Sequence, residues 1–210
     1  MNPKILIVGL GGIGSSLLEL VAPALSKCGL SAEITIMDDD IVDNTNLGHQ
    51  RFCLADVGLT KVEVLSSRFG LLDSVSILPV EEKLTNLSQL DGYDLIIVAV
   101  DRMEPRQLVH NLDVEWLDLR CQGDGYIVID NQTSPELVRL IPGNQVAASC
   151  QIEGAIEHQN IEFGFSMCAA IGAQWMLQKI RQFHGHKTTA PSFRMGNITS
   201  GELGLNGVIN

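Results

Sequence analysis

Residues 3–16 read PKILIVGLGGIGSS, an apolar run that breaks into glycines and then resumes with helical spacing. A short, wholly apolar run bounded by glycine is the pattern of a parallel strand buried on both faces. Ile13, Leu17, Val21 and Leu25 recur every four residues, which predicts a helix over 12–25. Pro23 is expected to kink or end it. Between strand and helix, Gly9 permits the turn. Gly11 and Gly12 let backbone N–H groups approach a ligand, and Gly14 lets helix and strand pack closely. Such a unit presents free amides and the positive end of the helix dipole to an anion, above all a phosphate.

The rest of the chain repeats the strand–helix alternation. AEITIM (32–37), SVSILPV (74–80) and DLIIVAV (94–100) read as further strands. Helical patterns over 61–69 and 104–112 separate them. Three closely spaced runs, 114–119, 125–130 and 136–141, read as strands of an antiparallel extension. A long helix is expected over 163–183. The expected fold is α/β: a Rossmann-like, mostly parallel sheet with helices on both faces and an antiparallel extension. Residues 185–210 are rich in Gly, Ser, Thr and Asn and read as a flexible or edge-strand tail, with ELGLNGVIN at its end as the edge-strand candidate.

Charge and cysteine usage exclude several classes. The net charge is -11 over 210 residues, and a duplex nucleic-acid binder needs a basic footprint. Five scattered cysteines form no C-x-x-C pair, so no structural zinc is expected and reduced thiols are the simplest reading. The longest apolar stretch, 163–177, is shorter than the roughly 18 residues of a membrane span. No signal peptide is visible at the start, and the expectation is a cytoplasmic protein without a membrane partner.

The polar chemistry collects at strand ends, where open α/β sheets bind ligands. Asp38 ends the second strand, some twenty-odd residues past the last glycine, where an acid holds ribose hydroxyls in dinucleotide folds. This much fits NAD(P) and ATP equally. The following row, Asp40, Asn46, Gln50 and Arg51, then Lys61 opening a helix and Asp101 at a strand end, supplies the cations and the Mg²⁺ ligand that a triphosphate needs. An NAD(P) oxidoreductase leaves that row unexplained.

GLGGIGS, MDDDIVDNTNLGHQ, DVGLTKVEVL and DLIIVAVDRMEPR occur in this order. Together they resemble the ubiquitin-activating-type adenylyltransferases, the ThiF/MoeB superfamily, over residues 4–180. The resemblance implies an adenylation domain over 1–184 that takes ATP and Mg²⁺ and adenylates the C-terminal glycine of a ubiquitin-like or sulfur-carrier protein ending in Gly-Gly, often as a homodimer or heterodimer. It assigns Gly9, Gly11, Gly12 and Gly14 to the phosphate loop, and Asp38 to the ribose. Asp40, Asn46, Gln50, Arg51 and Lys61 fall to the nucleotide and its phosphates, and Asp101 to the metal. His49 stands where relatives carry Arg. The chain starts directly at its first strand, without the family's Arg-bearing N-terminal helix, so a second subunit is expected to supply a cation, or the chain to be a non-catalytic subunit. Many relatives pass the acyl group to a thiol. Cys150, in a Gly/Ala-rich loop, is the candidate nucleophile, Cys121 is expected near the site and Cys168 in the core.

Overall fold

A computed structural model of the chain describes residues 2–141, 150–152 and 154–202. β1 (Lys4–Val8) pairs in parallel with β2 (Ala32–Met37) on one side and β4 (Leu95–Val98) on the other. β3 (Val75–Val80) extends the sheet beyond β2, and β5 (Glu115–Gln122) beyond β4, both in parallel. β6 (Gly125–Asp130), β7 (Arg194–Asn197) and β8 (Gly201–Glu202) continue it antiparallel. The order is β3-β2-β1-β4-β5-β6-β7-β8. The chain leaves β1 for β2 on one side and later returns to β4 on the other. This reversal opens a crevice at the carboxyl ends of the strands.

Alternation along β1 assigns its side chains to two cores. Ile5 and Ile7 pack with α1 (Gly12–Cys28), α2 (Lys61–Phe69) and α5 (Gly164–Phe183), whereas Leu6 and Val8 pack on the face of α3 (Met103–His110). α1 runs through Pro23 to Cys28 instead of ending near 25. Burial of Val21, Ala22 and Leu25 at 1% exposure or less offsets the cost of roughly 3 kcal/mol for an interior proline. Gly29, at φ 63°, closes the helix by donating to the carbonyls of Leu25 and Ser26, a left-handed cap.

The run at 136–141, expected to be a strand, is instead a helix, α4 (Pro135–Leu140). Ser134 Oγ accepts from Leu137 N at 3.3 Å, Pro135 occupies the first turn and Glu136 faces the dipole. These start signals outweigh the apolar alternation that suggested a strand. Of the edge-strand candidate 202–210, all but Glu202 lies outside the described residues. The apolar face of α5 is covered within the chain: Trp175, Cys168, Met176 and Ile180 are fully buried among α1 and the sheet. Among the described residues no helix is long and apolar enough to cross a membrane.

Candidate active site

A cleft of about 1450 Å³ lies at the carboxyl ends of β1, β2 and β4, which is ample for a nucleotide. Its floor is the β1–α1 turn. Gly9 holds φ +91° and donates to Met37 O at 2.9 Å, and an added Cβ would sit 2.7 Å from Ala99 O. The position therefore needs glycine for its backbone and for the close approach of β4. Gly11 and Gly12 line the cleft. Gly14 does not: a Cβ there would fall 1.9 Å from Gly9 O, so this glycine serves packing.

Asp38 closes one side. Its carboxylate accepts from Leu10 N at 2.5 Å and Asp40 N at 2.9 Å. Burial raises its pKa above the usual carboxylate range, against the opposing pull of Lys61 and the two amides. Lys61 is 4% exposed and its Nζ meets Asp40 at 2.7 Å, which holds the ammonium at the cleft wall. Thr60 Oγ1 caps α2 at Glu63 N and fixes that helix start. Asn46 and Gln50 line the cleft from the 44–51 loop, and Asp101 from the end of β4. Asp38, Asp39 and Asp40 offer carboxylate oxygens within 4.8 Å of one another. Oxygen donors of this kind suit a hard divalent cation.

Arg51 is placed elsewhere. Its guanidinium pairs with Glu19 at 2.9 Å and bonds Ser16 Oγ at 3.1 Å on α1, outside the cleft lining. His49 does line the cleft and is 7% exposed. Burial, reinforced by Lys61, pushes its imidazole pKa down against a backbone bond to Leu47, so it is neutral at neutral pH.

The opposite wall carries Arg106 and Arg120, which the sequence reading left out, and Asp118 and His110 stand behind them. Asp118, fully buried in β5, binds Arg106, Arg120 at 2.6 Å and His110 at 2.9 Å. Arg106 also donates to the carbonyls of Val100 and Leu119. Burial, then Arg120 and Arg106, lowers His110 to about 4. With His110 neutral, two guanidiniums face one carboxylate, leaving a surplus positive charge beside the cleft. Arg106 stood within the DLIIVAVDRMEPR motif, and an Asp amid the apolar residues of β5 was the available signal for the rest. Met195 and Gly196 of β7 complete this wall. Cys121 and Cys150 line it too, while Cys168 is buried, donating from Sγ to Arg120 O at 3.0 Å.

Comparison with known proteins agrees with this architecture. The NEDD8-activating enzyme E1 catalytic subunit of Saccharomyces cerevisiae is 32% identical over 164 residues, covering 73% of this chain and 52% of that protein. The tRNA threonylcarbamoyladenosine dehydratase of Escherichia coli is 36% identical over 111 residues, covering 50% and 40%. The adenylyltransferase and sulfurtransferase UBA4 of Yarrowia lipolytica is 32% identical over 117 residues, covering 54% and 28%. The chain thus spans about half or less of the length of these relatives. Among solved structures, E. coli MccB with ATP superposes with a TM-score of 0.69 at 17% identity, covering 96% of this chain and 63% of that one; this likeness concerns the fold. The family model described as "ThiF family" matches residues 1–203. A strand–glycine loop–helix floor, a β2 acid, a buried lysine and a β4-end aspartate, matched over nearly the whole length, assign this chain to the ThiF family.

Proposed function

We propose that this chain binds ATP·Mg²⁺ in the cleft and adenylates a carboxylate, the C-terminal glycine of a ubiquitin-like or sulfur-carrier protein ending in Gly-Gly. The supporting observation is convergence. The α1 amides, Asp38, Lys61 and Asp101 come from four separate segments and line one cleft. In this reading the loop amides hold phosphate oxygens, Asp38 takes the ribose, and Lys61, whose charge Asp40 otherwise balances, neutralises phosphate charge. Asp101 would hold Mg²⁺, whose chemistry is charge neutralisation on the phosphates. The carrier's carboxylate oxygen attacks the α-phosphorus and the bond to the bridging oxygen breaks. Pyrophosphate leaves, helped by positioning and electrostatics. Cys150 then accepts the acyl group as AMP departs.

The name of the UBA4 relative, which couples adenylyltransferase to sulfurtransferase, supports this reading. The test is ATP–pyrophosphate exchange with and without a Gly-Gly carrier: exchange should need the carrier and should fall at least tenfold in Asp101→Ala. Equal exchange in wild type and variant would overturn the proposal, as would stabilisation by NADH and not by ATP·Mg²⁺. One observation favours a second reading. His49 is neutral and Arg51 is turned to Glu19, so a partner subunit completes the cationic shell. That reading expects carrier binding without exchange until a second subunit is added.

A further inference from the structure

Two thiols meet in the cleft wall. Cys121 near the end of β5 and Cys150 both line the cleft, and each side chain perturbs the titration of the other. Their backbones are tied as well, since Gly123 N donates to Cys150 O at 3.1 Å. Gly12, Ile13 and Arg106 line the same cleft, so the α1 amides and the Arg106 charge act on the Cys150 sulfur.

These surroundings divide the pair. The Cys121 S–H, the α1 amides and Arg106 hold the Cys150 thiol below its ordinary range in spite of burial. Cys121, beside Cys150 and buried, is pushed up. The third cysteine nearby, Cys168, is raised to about 12 by burial and is a spectator. A thiolate-favoured sulfur beside a second thiol that can resolve it is the arrangement of a redox-reactive pair.

We propose that Cys121 and Cys150 form a reversible dithiol–disulfide pair in the wall of the nucleotide cleft, oxidised by small disulfides of the glutathione type. The Cys150 thiolate attacks one sulfur of the small disulfide, whose S–S bond breaks and expels one thiolate. That thiolate takes up the Cys121 proton. Cys121, now a thiolate, attacks the Cys150 sulfur of the mixed disulfide, a protein S–S bond forms, and the second small thiolate leaves and takes from solvent the proton that Cys150 had released. Two protein thiols and one small disulfide become one protein disulfide and two small thiols. The bond also withdraws the anionic sulfur from the α1 amides. On the adenylation reading above, it removes the acceptor thiol, so oxidation and acyl transfer exclude each other.

The test is to incubate the purified protein with oxidised glutathione, digest it without reduction and map thiols by mass spectrometry. The expected result is a linked Cys121–Cys150 peptide lacking two hydrogens, reversed by dithiothreitol, with no glutathione retained on Cys150. In Cys121→Ser, Cys150 should instead keep a stable glutathione adduct. Both thiols remaining free in the wild type would overturn the proposal, as would a lasting glutathione adduct on wild-type Cys150. The wild-type map decides alone, so nothing hangs on the folding of a variant. It needs neither nucleotide nor carrier, and its failure is separate from failure of the adenylation reading.

Discussion

Replacing Gly14 and Gly11 by alanine separates the two tasks of the glycine loop. At Gly14 the new Cβ would lie 1.9 Å from Gly9 O, whereas a carbon and an oxygen settle at about 3.3 Å. Roughly 1.4 Å must be found. Gly9 cannot yield, because it is bonded to Met37 O and abuts Ala99 O. α1 cannot easily retreat, because Leu17 packs where even a Cβ on Gly172 of α5 would fall 3.2 Å from its Cδ1. Overpacking of this kind costs about 3 kcal/mol, which for a chain of this size lowers Tm by roughly 6–12 °C. Gly11 has φ −69° and no atom within 4 Å of an added Cβ, so Gly11→Ala should stay within about 1 kcal/mol of wild type. Its methyl nevertheless projects where the phosphates would lie, and stabilisation by ATP·Mg²⁺ should fall. Scanning calorimetry with and without nucleotide checks both. Equal melting temperatures for the two variants would refute the packing argument.

Two further outcomes follow from the buried charge cluster. Asp118→Asn leaves Arg106 and Arg120 facing each other at a site with 0% exposure and should cost about 3–5 kcal/mol in urea unfolding; a loss under about 1 kcal/mol would contradict it. His110, stacked on Trp116 at 4.5 Å and facing Asp118, Arg106 and Arg120, has its pKa lowered from 6.5 to about 4. Because the folded pKa is depressed, the unfolded chain binds the proton first. The contribution is therefore whole above pH 6.5 and is lost as pH falls toward 4. Between pH 7 and 4.5 the wild type should lose about 2–3 kcal/mol more than His110→Gln; parallel losses would exclude the imidazole as the cause.

The parallel half of the sheet was legible because its strands are buried on both faces and announce themselves as apolar runs. The cleft-lining acids and Lys61 were legible as a group because they stand at or near strand ends in a fixed order. What escaped was set by contacts distant in sequence. Arg51 reads as a phosphate ligand until Glu19, on the neighbouring helix, is seen to hold it. The Asp118 cluster joins α3 to β5, and the lone Asp within an apolar strand reports a buried partner without saying which. β7 carries Arg194, Gly196 and Asn197, a poor strand sequence, and is a strand because β6 offers a free edge. At 136–141 the apolar alternation was real, but the Ser-Pro-Glu start decided the geometry.

Because Gly9 and Gly196 border the same cleft, the pocket draws on segments far apart in the sequence. A nascent chain released from the ribosome before β7 has emerged carries the glycine loop and the acids but an unfinished wall. The exposed rim of β6 is then available to any passing strand.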